Sequence, residues 1–182
     1  MACATHTTKQ KFQGVTTVTF QVSTLSQKDF VMIQISDTHL LETPEVEFLG
    51  MHPEQSFHAV VDLVRQQHHE IDVIVHTGDL AQNPTTVTYQ RYLHYMQSLG
   101  VPFFQTPGNH DNPALFPFHE ADPSQPTVVQ LGQWCIILLN SAQTERIDGK
   151  IEAAQLQQLN ELLTQYHDRH IIIACHHHPF AM

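Results

Sequence analysis

The chain has 182 residues, 41% of them hydrophobic and only 14% charged, with a formal net charge of -10. That length accommodates one domain with a real core, and an acidic surface repels phosphate polymers, which excludes a general nucleic-acid binder. A small anionic substrate stays compatible, because bound divalent ions reverse the local field.

Thr17 to Val22 alternate, with Val18, Phe20 and Val22 on one face and Thr17, Thr19 and Gln21 on the other, which predicts a half-exposed strand. Residues 1–28 are read as an N-terminal extension or edge strand without catalytic role, ahead of a main unit over 29–182. The apolar run Val31–Ser36 predicts a buried strand, and Phe57, Val60, Val61 and Val64 recur at helical spacing after Pro53. Ile71–His76 is a second buried run. Tyr89, Leu93, Met96 and Leu99 mark a second helix after Pro84, closed by Gly100. Val101–Thr106 follows as a strand. Val128–Leu131, Gly132-Gln133 and the run Trp134–Asn140 predict a hairpin. Leu156, Leu159, Leu163 and Tyr166 mark a third helix before the last run, His170–Cys175. Such alternation predicts an α/β architecture with a largely parallel sheet and its chemistry at the C-terminal strand ends.

Cys3, Cys135 and Cys175 form neither a CxxC pair nor an even framework, which predicts reduced thiols. Met1–Gln10 has no apolar signal core, and no stretch reaches the length of a membrane span. A soluble cytoplasmic protein with no membrane partner is expected.

The polar clusters fall at the predicted strand ends. Val31–Ser36 runs into Asp37-Thr38-His39, Ile71–His76 into Thr77-Gly78-Asp79, Val101–Thr106 into Gly108-Asn109-His110-Asp111, and His170–Cys175 into His176-His177-His178-Pro179. Alone, an Asp-x-His reads equally well as a capping pair, and a Gly-Asp as a turn. Together they bring carboxylates, imidazoles and a carboxamide to one edge, where carboxylates repel each other unless cations neutralise them. Mixed oxygen and imidazole donors suit Zn, Mn, Fe or Ni. Most of the 15 histidines have no such pattern: His58, His68, His69 and His94 lie on predicted helices, and Arg91 reads as a solvated charge. Trp134 reads as core.

In this order the clusters resemble the calcineurin-like metallophosphoesterase superfamily, from about Val31 to Met182. Within it, Gln34-Ile-Ser-Asp-Thr-His-Leu40, Thr77-Gly-Asp-Leu-Ala-Gln82 and His176-His-His-Pro179 are similar to bacterial class III cyclic-nucleotide phosphodiesterases. The resemblance implies an αββα β-sandwich flanked by helices. It implies a dinuclear centre of two divalent or trivalent ions (Fe, Mn, Zn or similar) and hydrolysis of a small phosphoester, 3′,5′-cyclic AMP first. Carried over, it makes Asp37, His39, Asp79 and Asn109 metal ligands. His110 becomes the catalytic imidazole, oriented by Asp111. The last ligand is assigned to His177, with His176 as the alternative.

The superfamily's final Gly-His-x-His motif is absent, and the text ends at Pro179-Phe180-Ala181-Met182. The expectation is a C-terminally truncated domain with reduced metal affinity and turnover. Uncovered apolar surface and sheet edge would then favour aggregation or a homo-oligomer. The competing readings are a related phosphoesterase with another phosphodiester or phosphomonoester substrate, and a remnant that catalyses nothing.

Overall fold

A computed structural model describes residues 5–12, 15–22, 29–67, 70–119 and 123–179. Cys3, His68, His69 and the final Phe180-Ala181-Met182 lie outside these residues. The strands are β1 (Thr5–Phe12), β2 (Val15–Val22), β3 (Met32–Ile35), β4 (Val73–His76), β5 (Phe103–Gln105), β6 (Thr127–Leu131), β7 (Trp134–Leu138) and β8 (His170–Ala174). The helices are α1 (Pro53–Gln67), α2 (Thr86–Ser98) and α3 (Ala153–Gln165).

Strand–helix alternation alone reads as one sheet; the two sheets that the resemblance implies are present. β3, β4 and β5 form a parallel sheet in chain order, while the second runs β1-β2-β6-β7-β8 and mixes directions. In the second sheet β1–β2 and β6–β7 are antiparallel pairs, and β2–β6 and β7–β8 are parallel. The period-two alternation of side chains explains why two sheets form. Val73, Val75, Phe104, Val129, Leu131, Ile136 and Leu138 point into one shared cluster between the sheets. Ile74 faces the other way, onto Phe57, Tyr89, Tyr92 and Met96 of α1 and α2. Val128, Cys135 and Ile137 face Leu162 of α3 and Tyr166 just beyond it. Each strand buried on both faces reads as a continuous apolar run, and the stack is helix, sheet, sheet, helix: the αββα sandwich. Full burial of one such aliphatic side chain stabilises by about 1.5–3 kcal/mol.

Local signals account for the helix ends. Thr85 caps α2, its Oγ1 accepting the Thr88 N–H at 3.2 Å, and Gly100 takes the left-handed conformation (φ 65°) just beyond the helix. Gly132 does the same (φ 57°) in the β6–β7 turn, as the hairpin signal predicts.

Four expectations are corrected. Thr19 is fully buried rather than half exposed, because β2 is an inner strand and α3 covers that face; its hydroxyl lies 3.3 Å from Tyr166 Oη. In α3 Gln155 and Leu162 are buried, Leu159 is partly buried and Tyr166 is buried at the C-terminal cap, whereas Leu156 is 50% exposed. Gln155 is tolerated inside because its amide pairs with both backbone groups of Asn140, at 2.8 and 3.2 Å. Trp134 is partly exposed against the His170 ring, not core. Arg91 is not a solvated charge: it bridges to Glu54 at 3.0 Å and donates to the carbonyls of Leu41 and Glu42.

Cys135 is free and buried, its thiol pushed up to about 12 by desolvation, and Cys175 is free and half-buried. Between the β3 and β8 edges lies an apolar groove of about 670 Å³, lined by Met32, Val75, Ile136, Ile172 and Ala174. Among the described residues no helix is long and apolar enough to cross a membrane.

Candidate metal centre

β3, β4 and β5 are parallel, so their C-terminal ends open on one edge, and β8 delivers its own end from the facing sheet. Beyond the strands the first two loops stay zipped together. Asp37 N donates to Gly78 O, His39 N to Asp79 O, Leu40 N to Leu80 O, and Gln82 N to Leu40 O, at 2.9–3.0 Å. This ladder brings Asp37, His39 and Asp79 to one place. All three are left-handed, with φ of 57°, 47° and 54°. That conformation is costly for residues with a Cβ and marks sites where the surroundings over-determine the backbone.

Asp79 is the centre of the arrangement. It is 3% exposed, and its Oδ1 accepts the His110 backbone N–H at 2.9 Å. Its Oδ2 lies 3.7 Å from His39 Nε2 and 3.5 Å from His176 Nε2. His39 Nε2 is also 3.7 Å from Asp37 Oδ1. Asp79 therefore belongs to two converging donor groups, one with His39 and His110, the other with Asp37 and His176. Close approach needs glycine on both sides. A Cβ on Gly108 would strike the Asp79 carboxylate, and one on Gly78 (φ 106°) would meet His176 Nδ1 at 2.6 Å.

The donor chemistry fits a divalent cation. His176 commits Nδ1–H to the Thr77 carbonyl at 2.9 Å, leaving a bare Nε2 lone pair. That lone pair faces Asn109 Oδ1 at 3.2 Å and Asp79 Oδ2 at 3.5 Å. Acceptors facing acceptors in a largely buried pocket are unfavourable unless a positive charge lies between them. Imidazole nitrogen with carboxylate and amide oxygen is the set that Mn, Fe and Zn accept.

The sequence-assigned residues divide as follows. Asp37, His39, Asp79, Asn109 and His110 come together, and the fourth cluster contributes His176. His177 instead places Nδ1 2.8 Å from Ser141 Oγ and packs its ring on Gly149. Burial and the neighbouring His176 hold the His177 imidazole below its ordinary range. Strand direction explains the choice: two residues past Ala174 a side chain points into the space between the sheets, and the next points out.

The carboxylate of Asp111 is committed elsewhere than to the His110 ring. It accepts Gly108 N–H (2.9 Å), Leu80 N–H and Ala81 N–H (3.2 Å each) and the Tyr89 hydroxyl (3.0 Å). Among the described residues no hydrogen bond joins it to the His110 imidazole. It stitches the Gly-Asp loop to the Gly-Asn-His-Asp loop, with Tyr89 in turn accepting Asn112 N–H at 2.9 Å. Burial raises its pKa, and the three amides and Tyr89 oppose that shift. Tyr89 was legible only as helix core. Asp111→Ala would leave three amides and a hydroxyl without their acceptor, so urea unfolding is expected to show a loss of roughly 3–5 kcal/mol.

The fold and this donor set are those of a metal-dependent phosphoesterase, and the chain belongs to the calcineurin-like phosphoesterase family, whose profile matches residues 30–181. It is 36% identical over 151 residues to the 3′,5′-cyclic adenosine monophosphate phosphodiesterase CpdA of Escherichia coli (strain K12), covering 81% of this chain and 55% of that protein. The CpdA of Vibrio vulnificus (strain CMCP6) is 34% identical over 162 residues, covering 87% of this chain and 59% of the relative. The 3′,5′-cyclic-nucleotide phosphodiesterase alr5338 of Nostoc sp. (strain PCC 7120) is 32% identical over 151 residues, covering 82% and 57%. The chain thus spans just over half the length of these relatives.

Proposed function

We propose that this chain carries the metal-binding core of a phosphodiester hydrolase that opens a 3′,5′-cyclic nucleotide, cyclic AMP first, to the 5′-monophosphate. Asp79 carries the reading: a buried carboxylate set between two imidazole nitrogens, in a chain 36% identical to a protein named for that activity. Asp37, His39 and Asp79 would hold one cation, and Asp79, Asn109 and His176 a second. When bound, such ions lower the pKa of water and polarise phosphoryl oxygens.

The rest falls to the protein. His110 is exposed at the rim, its ring 5.0 Å from that of His39, and its backbone is tied to Asp79. From there its imidazole can hold a proton beside the leaving 3′ oxygen, or stabilise charge that develops on it. The Asp111 amide network keeps both loops from shifting as charge builds.

Protein loaded with Mn²⁺ is expected to hydrolyse cyclic AMP, and His110→Ala to lose roughly 10²- to 10⁴-fold in kcat while keeping its metal. A panel adding cyclic GMP, a glycerophosphodiester and p-nitrophenyl phosphate decides the substrate. Faster turnover of the monoester or the glycerol ester moves the reading to that phosphoester. Metal uptake with no turnover of any of them replaces catalysis by a binding role.

A further inference from the structure

His39 and His176 are held alike. Each faces Asp79 with Nε2 and is anchored from behind at Nδ1. For His176 the anchor is the Thr77 carbonyl, which no substitution removes. For His39 it is a side chain, Gln82, whose Oε1 lies 3.0 Å from Nδ1. We propose that Gln82 is a positioning residue for the first cation: its carboxamide oxygen accepts the His39 Nδ1–H and so leaves the lone pair on Nε2, aimed between Asp37 and Asp79. The inference rests on the metal-site reading above and assigns a role that reading leaves open.

The geometry allows Gln82 little else. Its backbone N–H donates to Leu40 O at 2.9 Å, and Leu40 and Ala81 form a parallel bridge one residue inward from His39 and Gln82. Beneath the bridge, Asp111 holds the Leu80 and Ala81 amides at 3.2 Å. His39 and Gln82 are therefore fixed as partners by the loop ladder rather than by chance rotamers.

The tautomer matters because neutral imidazole carries one proton and one lone pair. With the proton on Nε2, an N–H would point at carboxylates 3.7 Å away, too far for a good hydrogen bond, and no donor would remain for a cation. An orienting partner at the far nitrogen removes that alternative, as in metal sites generally. A carboxamide does so without adding a third negative charge beside Asp37 and Asp79.

The test reads the metal-free and the metal-loaded protein separately. Long-range ¹H–¹⁵N spectra of metal-free protein at a pH of about 8, well above the ordinary imidazole range, report the His39 tautomer. Calorimetric titration with Mn²⁺ reports affinity. Wild type is expected to show Nδ1–H at His39. Gln82→Leu is expected to give mixed tautomers and about 10- to 100-fold weaker Mn²⁺ binding. Gln82→Glu keeps an acceptor of the same shape and is expected to restore both readouts.

An Nε2–H tautomer in the wild type overturns the proposal. So does Gln82→Leu with wild-type tautomer and affinity, or Gln82→Glu that fails as fully as Leu. If wild type shows the Nδ1–H tautomer but takes up no Mn²⁺, the metal reading itself fails, and the role of Gln82 toward a cation falls with it. The wild-type spectrum and the Glu variant keep the question decidable even if Gln82→Leu does not fold.

Discussion

Asp79→Ala is expected to abolish metal uptake at both donor groups and to lower turnover by roughly a thousandfold or more. Its carboxylate is the one group common to the two proposed cation sites, beside Asp37 and His39 in one and Asn109 and His176 in the other. Losing a ligand shared by two cations removes several kcal/mol of transition-state stabilisation, and about 4 kcal/mol corresponds to that factor. The same change cuts the Oδ1 contact to the His110 amide, so the proposed proton-bearing imidazole loses its tether as well. Asp79→Asn separates the two effects. It keeps an oxygen for the His110 N–H but removes the negative charge.

Stability is expected to move the other way in metal-free protein. Asp37 and Asp79 oxygens lie within 4.8 Å of one another, and two carboxylates that close repel when no cation neutralises them. Asp79→Asn should therefore melt at or above the wild-type temperature after chelation. Wild type should gain about 2.7 kcal/mol at metal concentrations a hundredfold over Kd, and the variant nothing. Elemental analysis with melting curves in metal and in chelator makes the comparison. An Asp79→Asn protein that keeps its metal and its metal-dependent stabilisation would remove Asp79 from the centre of the site.

Strand positions and ligand-bearing loops were legible because buried strands are short apolar runs that stop at polar residues, as at Ile35 and His76. The division into two sheets was legible through the family resemblance and not through the runs themselves, since an apolar run does not say which neighbour each face meets. Val73 and Ile74 look alike in sequence, yet they face different layers. Polar residues that are buried because a partner exists were hidden for the same reason. Thr19 and Arg91 read as exposed, and only the fold supplies Tyr166 and the Leu41 and Glu42 carbonyls; it likewise pairs Gln155, which no sequence pattern marks, with Asn140. In the histidine triplet, family spacing pointed to His177, while the strand's alternation past Ala174 turns His176 toward Asn109. Asp111 was legible as a site residue. Besides Gly108, its partners come from residues 22 to 31 positions away, beyond the reach of local pattern.

Acid is expected to unfold the protein through His76. This residue ends β4, is fully buried, and stacks on Tyr92 with ring centroids 5.5 Å apart. Neither ring nitrogen has a hydrogen-bond partner among the described residues. Desolvation, only partly opposed by Asp37, holds its pKa near 3, against 6.5 for the exposed side chain. Between those values the unfolded chain binds a proton that the native state refuses, so stability rises with pH across the window and is lost as pH falls through it. The full difference is on the order of 4–5 kcal/mol, a large part of the stability of an ordinary domain. Partly buried His119, held near 4 by desolvation, adds to the trend. Asp111 opposes it: its raised pKa makes the native state the better proton binder just above the ordinary carboxylate value. Metal-free wild type and His76→Phe, compared by urea unfolding from pH about 7 to about 4, isolate the residue, because the two proteins differ at that side chain alone. Phenylalanine can keep the stack on Tyr92 and has nothing to protonate. The wild type should lose roughly 3 kcal/mol more than the variant over that range. Equal slopes would mean that the burial of His76 is relieved in some other way as the protein is acidified.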